Sequence, residues 1–121
     1  MAVAGRATLR RGERLRERRE IEQLFRRGGR IERPTFILLW LAAPGRRAAA
    51  FATSRRLGSS VRRNRARRRL REAYRREKGV APAQGVRLCF VARPEAAAAP
   101  FGRLTDDIRD ALRQAARRIA L

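Results

Sequence analysis

The chain of 121 residues contains no histidine, one cysteine, one tryptophan, one tyrosine and one lysine, and only 11 acidic residues against 32 basic ones. Without histidine, and with acids scattered mostly beside Arg, it lacks the general bases and carboxylate sets that a protein-borne nuclease centre needs. The single Cys89 cannot form an intramolecular disulfide. Its place in the run Val86, Leu88, Cys89, Phe90, Val91 predicts a buried, inert thiol and a reducing compartment, so the cytoplasm is expected. The longest apolar run, Phe36 to Ala43, is far too short to span a bilayer, and the Arg-studded start has no apolar signal region, so neither membrane insertion nor secretion is expected. Leu, Ile, Val and Phe supply 27 of the 121 residues. That is just above the level of about 20 % below which a highly charged chain stays disordered, so one small core is expected.

What the chain has in excess is positive charge, a formal +21 with a pI near 12. Such an excess calls for a polyanion and repels itself in isolation, so binding that partner is expected to firm the fold. Arg in place of Lys is not by itself a specificity signal, because a GC-rich coding bias produces the same swap. Residues 1–18 carry Arg6, Arg10, Arg11, Arg14, Arg16 and Arg18 among glycines and few apolar residues, and are expected to be a flexible basic arm. Residues 19–121 are expected to be a single α/β domain.

Within that domain, Ile21, Leu24 and Phe25 at i, i+3 and i+4 predict a short helix from Arg19 to Arg27, stopped by Gly28 and Gly29. A short lead-in strand is expected near Ile31. Phe36 to Leu41 is a strand between Pro34 and the turn pair Pro44-Gly45, with Phe36 and Trp40 read as core, and Ala48 to Thr53 would return beside it as a hairpin partner. After Gly58 the period becomes helical, with Ser59 or Ser60 as N-cap and Ala66, Leu70, Ala73 and Tyr74 as the apolar stripe. Gly79 and Pro82 end that helix. Val86 to Ala92 reads as another buried strand, and the Ala-rich stretch between Pro94 and Pro100 as a loop. A last helix is expected to start near Thr105, with Asp106 and Asp107 in its first turn and Arg117 and Arg118 in its last, matching the dipole. That placement favours a dipole role over metal ligation for Asp106, Asp107 and Asp110.

Charge is concentrated between Arg55 and Arg76, where eleven Arg and one Glu give +10. On a helical wheel Asn64, Arg68, Arg71 and Arg75 lie opposite the apolar stripe, flanked by Arg62, Arg65, Arg69 and Arg76 on one side and by Arg63 and Arg67 on the other. A solvated face normally alternates sign to gain i,i+4 pairs, but this one has only Glu72 and Glu77 as internal partners. Because the planar guanidinium fork matches two phosphate oxygens and stacks on bases, nucleic acid is favoured over a membrane.

The segment Thr53-Ser54-Arg55-Arg56-Leu57-Gly58 continuing through Arg62-Arg63-Asn64-Arg65-Ala66-Arg67-Arg68-Arg69-Leu70-Arg71-Glu72 closely resembles the signature of the bacterial ribonuclease P protein subunit. The resemblance extends from about residue 9 onward, through Leu24-Phe25-Arg26-Arg27-Gly28, the strands at Phe36 and Val86, and the amphipathic C-terminal helix. It implies an α+β sandwich ordered helix, three strands, helix, strand, helix, a small sheet packed by helices with a left-handed β-α-β crossover, similar to the second domain of a small-subunit ribosomal protein. It further implies that the protein is the non-catalytic subunit of a ribozyme endoribonuclease that frees the mature tRNA 5′ end, with Mg²⁺ bound by the RNA. Its implied partners are the ribonuclease P catalytic RNA and the 5′ leader of precursor tRNA, with no obligate protein partner and no membrane. The RNA contacts implied are Arg55, Arg56, Arg63, Asn64, Arg65, Arg67, Arg68 and Arg71, to which the helical wheel adds Arg62 and Arg75 as RNA-binding candidates, and the leader cleft takes Ile21, Phe25 and Leu39. Ala50 stands where the family usually has Gly, Ala66 and Arg69 where it usually has large apolar residues, and Ile21 and Leu39 where rings are frequent. The alternatives are a small Arg-rich ribosomal or RNA-chaperone protein and, less favoured, a DNA-binding architectural protein.

Overall fold

Residues 18–120 are described by a computed structural model in which the alternation and the helical stripes above resolve into a sheet with helices on both faces. The order is α1 (Arg18–Arg27), β1 (Gly29–Glu32), β2 (Phe36–Arg46), β3 (Ala48–Thr53), α2 (Ser60–Glu77), β4 (Gln84–Ala92), α3 (Glu95–Ala98) and α4 (Phe101–Ala120). Short 3₁₀ turns at Arg55–Leu57 and Lys78–Val80 flank α2. The expected basic arm lies outside the described residues, apart from Arg18, which opens α1. No helix among the described residues is long and apolar enough to cross a membrane.

The four strands run in the order β1-β2-β4-β3, with β1–β2 and β2–β4 antiparallel and β3–β4 parallel. The expected hairpin between Phe36–Leu41 and Ala48–Thr53 is therefore wrong. Pro44 and Gly45 do not form a hairpin turn; they fall in the irregular end of β2, where the register with β4 shifts and Gly45 takes φ +98°. The physical reason is that β4 is apolar on both faces, Val86, Leu88 and Phe90 on one and Cys89 and Val91 on the other. A strand of that kind gains most in the interior of a sheet, which leaves the Ala-rich β3 to the edge. The connection from β3 through α2 to β4 joins two adjacent parallel strands, as a β-α-β crossover does.

Strand alternation sorts the core into two layers. Phe36, Leu38, Leu88 and Phe90 face α2 and α4, meeting Ala66, Leu70, Ala73 and Tyr74 from α2 and Leu104, Ile108 and Leu112 from α4. All four residues expected in the α2 stripe are fully buried. Phe90 is the hub of a ring cluster, stacked on Phe51 at 5.4 Å and tilted or edge-on to Tyr74 and Phe36 at 5.4 and 5.3 Å. Burying each such large side chain stabilises by about 1.5–3 kcal/mol. On the other face Leu24 of α1 buries Leu39, Ala48 and Cys89, and the ion pair from Arg87 Nε to Glu20 Oε2, 3.1 Å, ties α1 to β4. Phe36 is core as expected, while Trp40 is only partly buried and lies over Gly29, where a Cβ would sit 2.2 Å from the indole ring.

Two further expectations need correction. The stretch after Pro94 is not all loop, since Glu95–Ala98 form a helical turn with Ala96 and Ala97 buried. The last helix begins at Phe101, immediately after Pro100, so its first turn has no acid and the dipole does not explain Asp106 and Asp107. Asp107 is instead buried and accepts from Thr35 Oγ1 at 2.7 Å, joining α4 to the start of β2, and Asp106 pairs with Arg109 at 3.1 Å. Pro100 supplies the true start signal, because a proline carbonyl can open a helix that its ring could not continue.

Burial pushes the Cys89 thiol from an ordinary value of 9.0 up to about 11. The folded state thus favours the neutral thiol, so this contribution is present below about pH 9 and is lost as pH rises toward about 11. In urea melts the wild type is expected to lose stability across that interval more steeply than Cys89→Ala. Parallel pH profiles for the two proteins would show the thiol to be solvated.

Candidate nucleic-acid interface

The end of β3 and the start of α2 set the geometry of the charged surface. Gly58 adopts φ +100°, a conformation costly to a side chain, and lets the chain turn from Leu57 into the helix. Ser59 is the N-cap, its hydroxyl accepting from the Arg62 backbone N–H at 3.2 Å, as the sequence indicated. The stripe Ala66, Leu70, Ala73 and Tyr74 is locked against the sheet and α4, Glu77 pairs with Arg109 and Arg76 lies over Phe101 on the α4 side, and the remaining directions around α2 point to α3 or to solvent.

The arginines of α2 have different fates. Arg67 donates to Thr53 Oγ1 at 3.2 Å and to Asn64 Oδ1, and Arg71 lies over the Phe51 ring, 5.5 Å from its centroid. Together Asn64, Arg67, Arg68 and Arg71 line a shallow concavity of about 210 Å³. The Arg68 side chain is exposed at its edge and, like the exposed side chains of Arg56 and Arg62, has no protein partner among the described residues. Arg63 Nη1 donates to Gly58 O at 2.6 Å, bracing the turn. Arg56 stands in the 3₁₀ turn, as does the backbone of Arg55.

Arg65 and Arg69 point elsewhere. Arg65 Nε donates to Ala97 O at 2.9 Å, and Arg69 donates to Ala96 O at 2.9 Å and to Ala99 O. They satisfy carbonyls of the short α3 turn, which has too few residues to pair them all internally. Burial, and then the charge of Arg65, hold the Arg69 pKa below its ordinary value. An arginine in this part-buried place packs with its stem and meets carbonyls with its head. Arg75 is also diverted, forming a forked pair with Glu72, which takes Arg76 Nε at 3.3 Å as well. The hydrogen bond from Arg75 holds the Glu72 carboxyl below its usual range.

On the opposite face the expected cleft residues separate. Leu39 is buried beneath Leu24, Ile21 is half-buried, and Phe25 is 57 % exposed at the end of α1. Ile37, Val91, Ala50 and Ala52 extend this face beyond the part that α1 covers, and remain only partly buried. Thr53 and Phe51, which orient Arg67 and Arg71, were missed from sequence; their signal was alternate-residue spacing on a strand ending at the helix. Arg47 was missed too, and its Nη1 donates to Lys78 O at 2.8 Å and Ala81 O at 3.1 Å, closing the C-terminal end of α2.

The model of the ribonuclease P family matches residues 9–116. The chain belongs to the ribonuclease P protein family. Among its relatives is the ribonuclease P protein component of Chloroflexus aggregans, 45 % identical over an alignment covering 75 % of this chain and 80 % of the relative. That of Gluconacetobacter diazotrophicus is 35 % identical, covering 87 % of this chain and 92 % of the relative. Among solved structures, the RNase P protein from Thermotoga maritima superposes with a TM-score of 0.73 at 26 % identity, covering 84 % of this chain and 96 % of that one. The Staphylococcus aureus protein, at 17 % identity and TM-score 0.65 over 89 % of this chain and 94 % of that one, shares the fold. Membership in this family makes the chain a component of the ribonuclease P holoenzyme and places it in tRNA processing.

The division of labour on α2 has a consequence for stability. Arg69→Ala is expected to lower the free energy of unfolding by about 1.5–3 kcal/mol, since it orphans carbonyls that a charged donor satisfies. Arg68→Ala should cost under about 0.5 kcal/mol, as for other exposed, unpartnered sites. Urea titrations of the two variants check this, and equal losses would mean that the bonds to α3 contribute nothing.

Proposed function

We propose that the Asn64–Arg71 face of α2, with Arg56 and Arg62 beside its N-terminus, binds the catalytic RNA of ribonuclease P. The observation that carries this reading is the concavity lined by Asn64, Arg67, Arg68 and Arg71. In it two guanidinium groups are already oriented by Thr53 and Phe51 while a third has no partner among the described residues. Planar donors held in place lose little entropy on meeting a phosphate, whereas the same charges on a mobile tail would lose more. Arg65 and Arg75 contribute less to this face than the signature and the helical wheel respectively imply, because the first is spent on Ala97 O and the second on Glu72.

The 5′ leader of precursor tRNA is assigned to the face of the sheet beside α1, where Phe25 offers an exposed ring and Ile37, Val91, Ala50 and Ala52 an incompletely covered apolar floor. Leu39, on the same face, lies under Leu24 at the end of that floor which α1 covers. The protein assists endonucleolytic removal of the leader and carries no chemical step itself. Among the described residues no three His, Cys, Asp or Glu side chains come together in one group. The Mg²⁺ of the reaction is assigned to the RNA. The protein's part is to screen phosphates, lower the Mg²⁺ demand and hold the substrate strand. It acts in the cytoplasm, without a membrane and without an obligate protein partner, and the shielded neutral thiol of Cys89 suits a reducing compartment.

Catalytic RNA binding is expected to weaken steeply with salt. Arg68→Ala should lower the slope of log affinity against log salt by about 0.9, the value for one phosphate neutralised, while Arg113→Ala on α4 leaves it unchanged. The protein alone should not cut precursor tRNA, and adding the RNA should give 5′ cleavage at low Mg²⁺. Cleavage without that RNA, or equal slopes for both variants, would overturn the reading. Stronger retention of ribosomal RNA than of the ribozyme and precursor tRNA in a pull-down would favour a ribosomal or chaperone protein.

A further inference from the structure

A second cluster of arginines lies at the edge of the sheet farthest from α2. Glu32, at the end of the edge strand β1, accepts from Arg93 Nη2 at 3.0 Å and Arg30 Nε at 3.4 Å. Arg33 Nη1 donates to the Glu32 carbonyl at 3.3 Å, and Arg118, from the last turn of α4, donates to the Arg30 carbonyl at 3.3 Å. Four guanidinium groups thus gather along one short strand that offers them a single carboxylate, and the Asp107 carboxylate beneath is buried on Thr35. The Nε–H groups of Arg33 and Arg93 are buried and have no acceptor among the described residues, so any further partner of these side chains is met by their outer Nη groups. Nothing in the packing of the core requires this charge: Arg30 and Glu32 are exposed, and Ile31 between them fills the layer facing α2 and α4.

Alternation fixes which way the cluster looks. With Ile31 buried in the layer of α2 and α4, Arg30 and Glu32 project to the opposite face, the one α1 covers only in part. Register then lines Glu32 up with Ile37, Val91 and Ala52 across the sheet, so the arginines stand at one end of a row of partly buried apolar side chains. β1 and β3 are separated by three strand spacings, about 14 Å, and α2 packs nearer β3. One short run of phosphates on α2 cannot also reach this edge.

We propose that Arg30 and Arg93 form a second phosphate-binding site for the single-stranded backbone of the substrate, with Glu32 as an internal competitor for the same guanidinium groups. This rests on the assignment of the α1 face to precursor tRNA made above. A strand crossing the apolar floor meets the cluster at the β1 edge, its phosphates displace Glu32 from Arg93 and Arg30, and the substrate is held at both margins of the sheet. The competitor gives the site a signature that an ordinary structural ion pair lacks. Removing the acid and removing the base then shift affinity in opposite directions.

The test uses the reconstituted holoenzyme, measuring affinity for precursor tRNA and, separately, affinity of the protein for catalytic RNA. The Arg30→Gln/Arg93→Gln double variant is expected to weaken precursor tRNA binding and lower its salt slope by about 1.4, at about 0.7 per single-strand phosphate. Glu32→Gln should tighten precursor tRNA binding several-fold, and Arg113→Gln should change neither. Catalytic RNA affinity should stay at the wild-type level throughout, and thermal melts confirm that each variant folds. Unchanged substrate affinity in the double variant, weaker binding for Glu32→Gln as well, or a defect confined to catalytic RNA would each overturn the proposal. If the wild-type protein binds catalytic RNA and supports cleavage while these shifts are absent, the second site fails alone. If wild type binds neither RNA, the functional reading falls and takes this site with it.

Discussion

A narrow apolar stripe holds the whole arrangement together: Ala66, Leu70, Ala73 and Tyr74 must anchor a helix whose segment carries +10 against a sheet that offers it only hydrocarbon and rings. The charge cannot be neutralised within the helix, because Glu72 and Glu77 are its only acids and both are committed, to Arg75 and Arg76 and to Arg109 respectively. The fold answers by sorting the arginines. Those closest to the sheet or to α3 find a hydroxyl, a ring or a carbonyl, and those farthest away are left for an anion. Burial of Tyr74 among Phe51 and Phe90 is what makes this sorting possible, since a helix free to roll would present no fixed row.

The same logic explains why the molecule tolerates polar replacements in places where hydrocarbon would be ordinary. Arg69 is half-buried between α2 and α3, where its guanidinium closes the carbonyl ends of a four-residue helical turn. Arg47 does the equivalent work at the other end of α2. Each closes a helical end with charge-assisted hydrogen bonds, stronger than neutral ones, which fixes the borders of a small core.

Much of this was legible in the residues, and the parts that were not have a common cause. Helical period, the Ser59 cap and the glycine stop at Gly28 are local signals, and α1 and α2 begin and end close to where they were expected. Sheet order was not legible, because whether β3 pairs with β2 or with β4 depends on which strand is apolar on both faces, a comparison between segments far apart in sequence. The start of α4 was misplaced because Thr105 and the two aspartates imitate a cap, while Pro100 was read only as the boundary of a loop. The signature residues were found together, but their individual roles were hidden. A wheel cannot say that Arg65 reaches Ala97 O while Arg68 reaches nothing among the described residues, since long side chains choose partners that the period of one helix does not encode.

The position of β4 also bears on how the chain is made. It is the last strand in sequence yet lies between β2 and β3, so no pair of neighbours among the earlier strands except β1 and β2 can form until residue 92 has been synthesised. During translation the arginine-laden helix therefore emerges before the surface that shelters its inner side exists. Its first companions are the ribosome and whatever RNA lies near the exit tunnel, and the nascent chain meets polyanion before it meets its own hydrophobic floor.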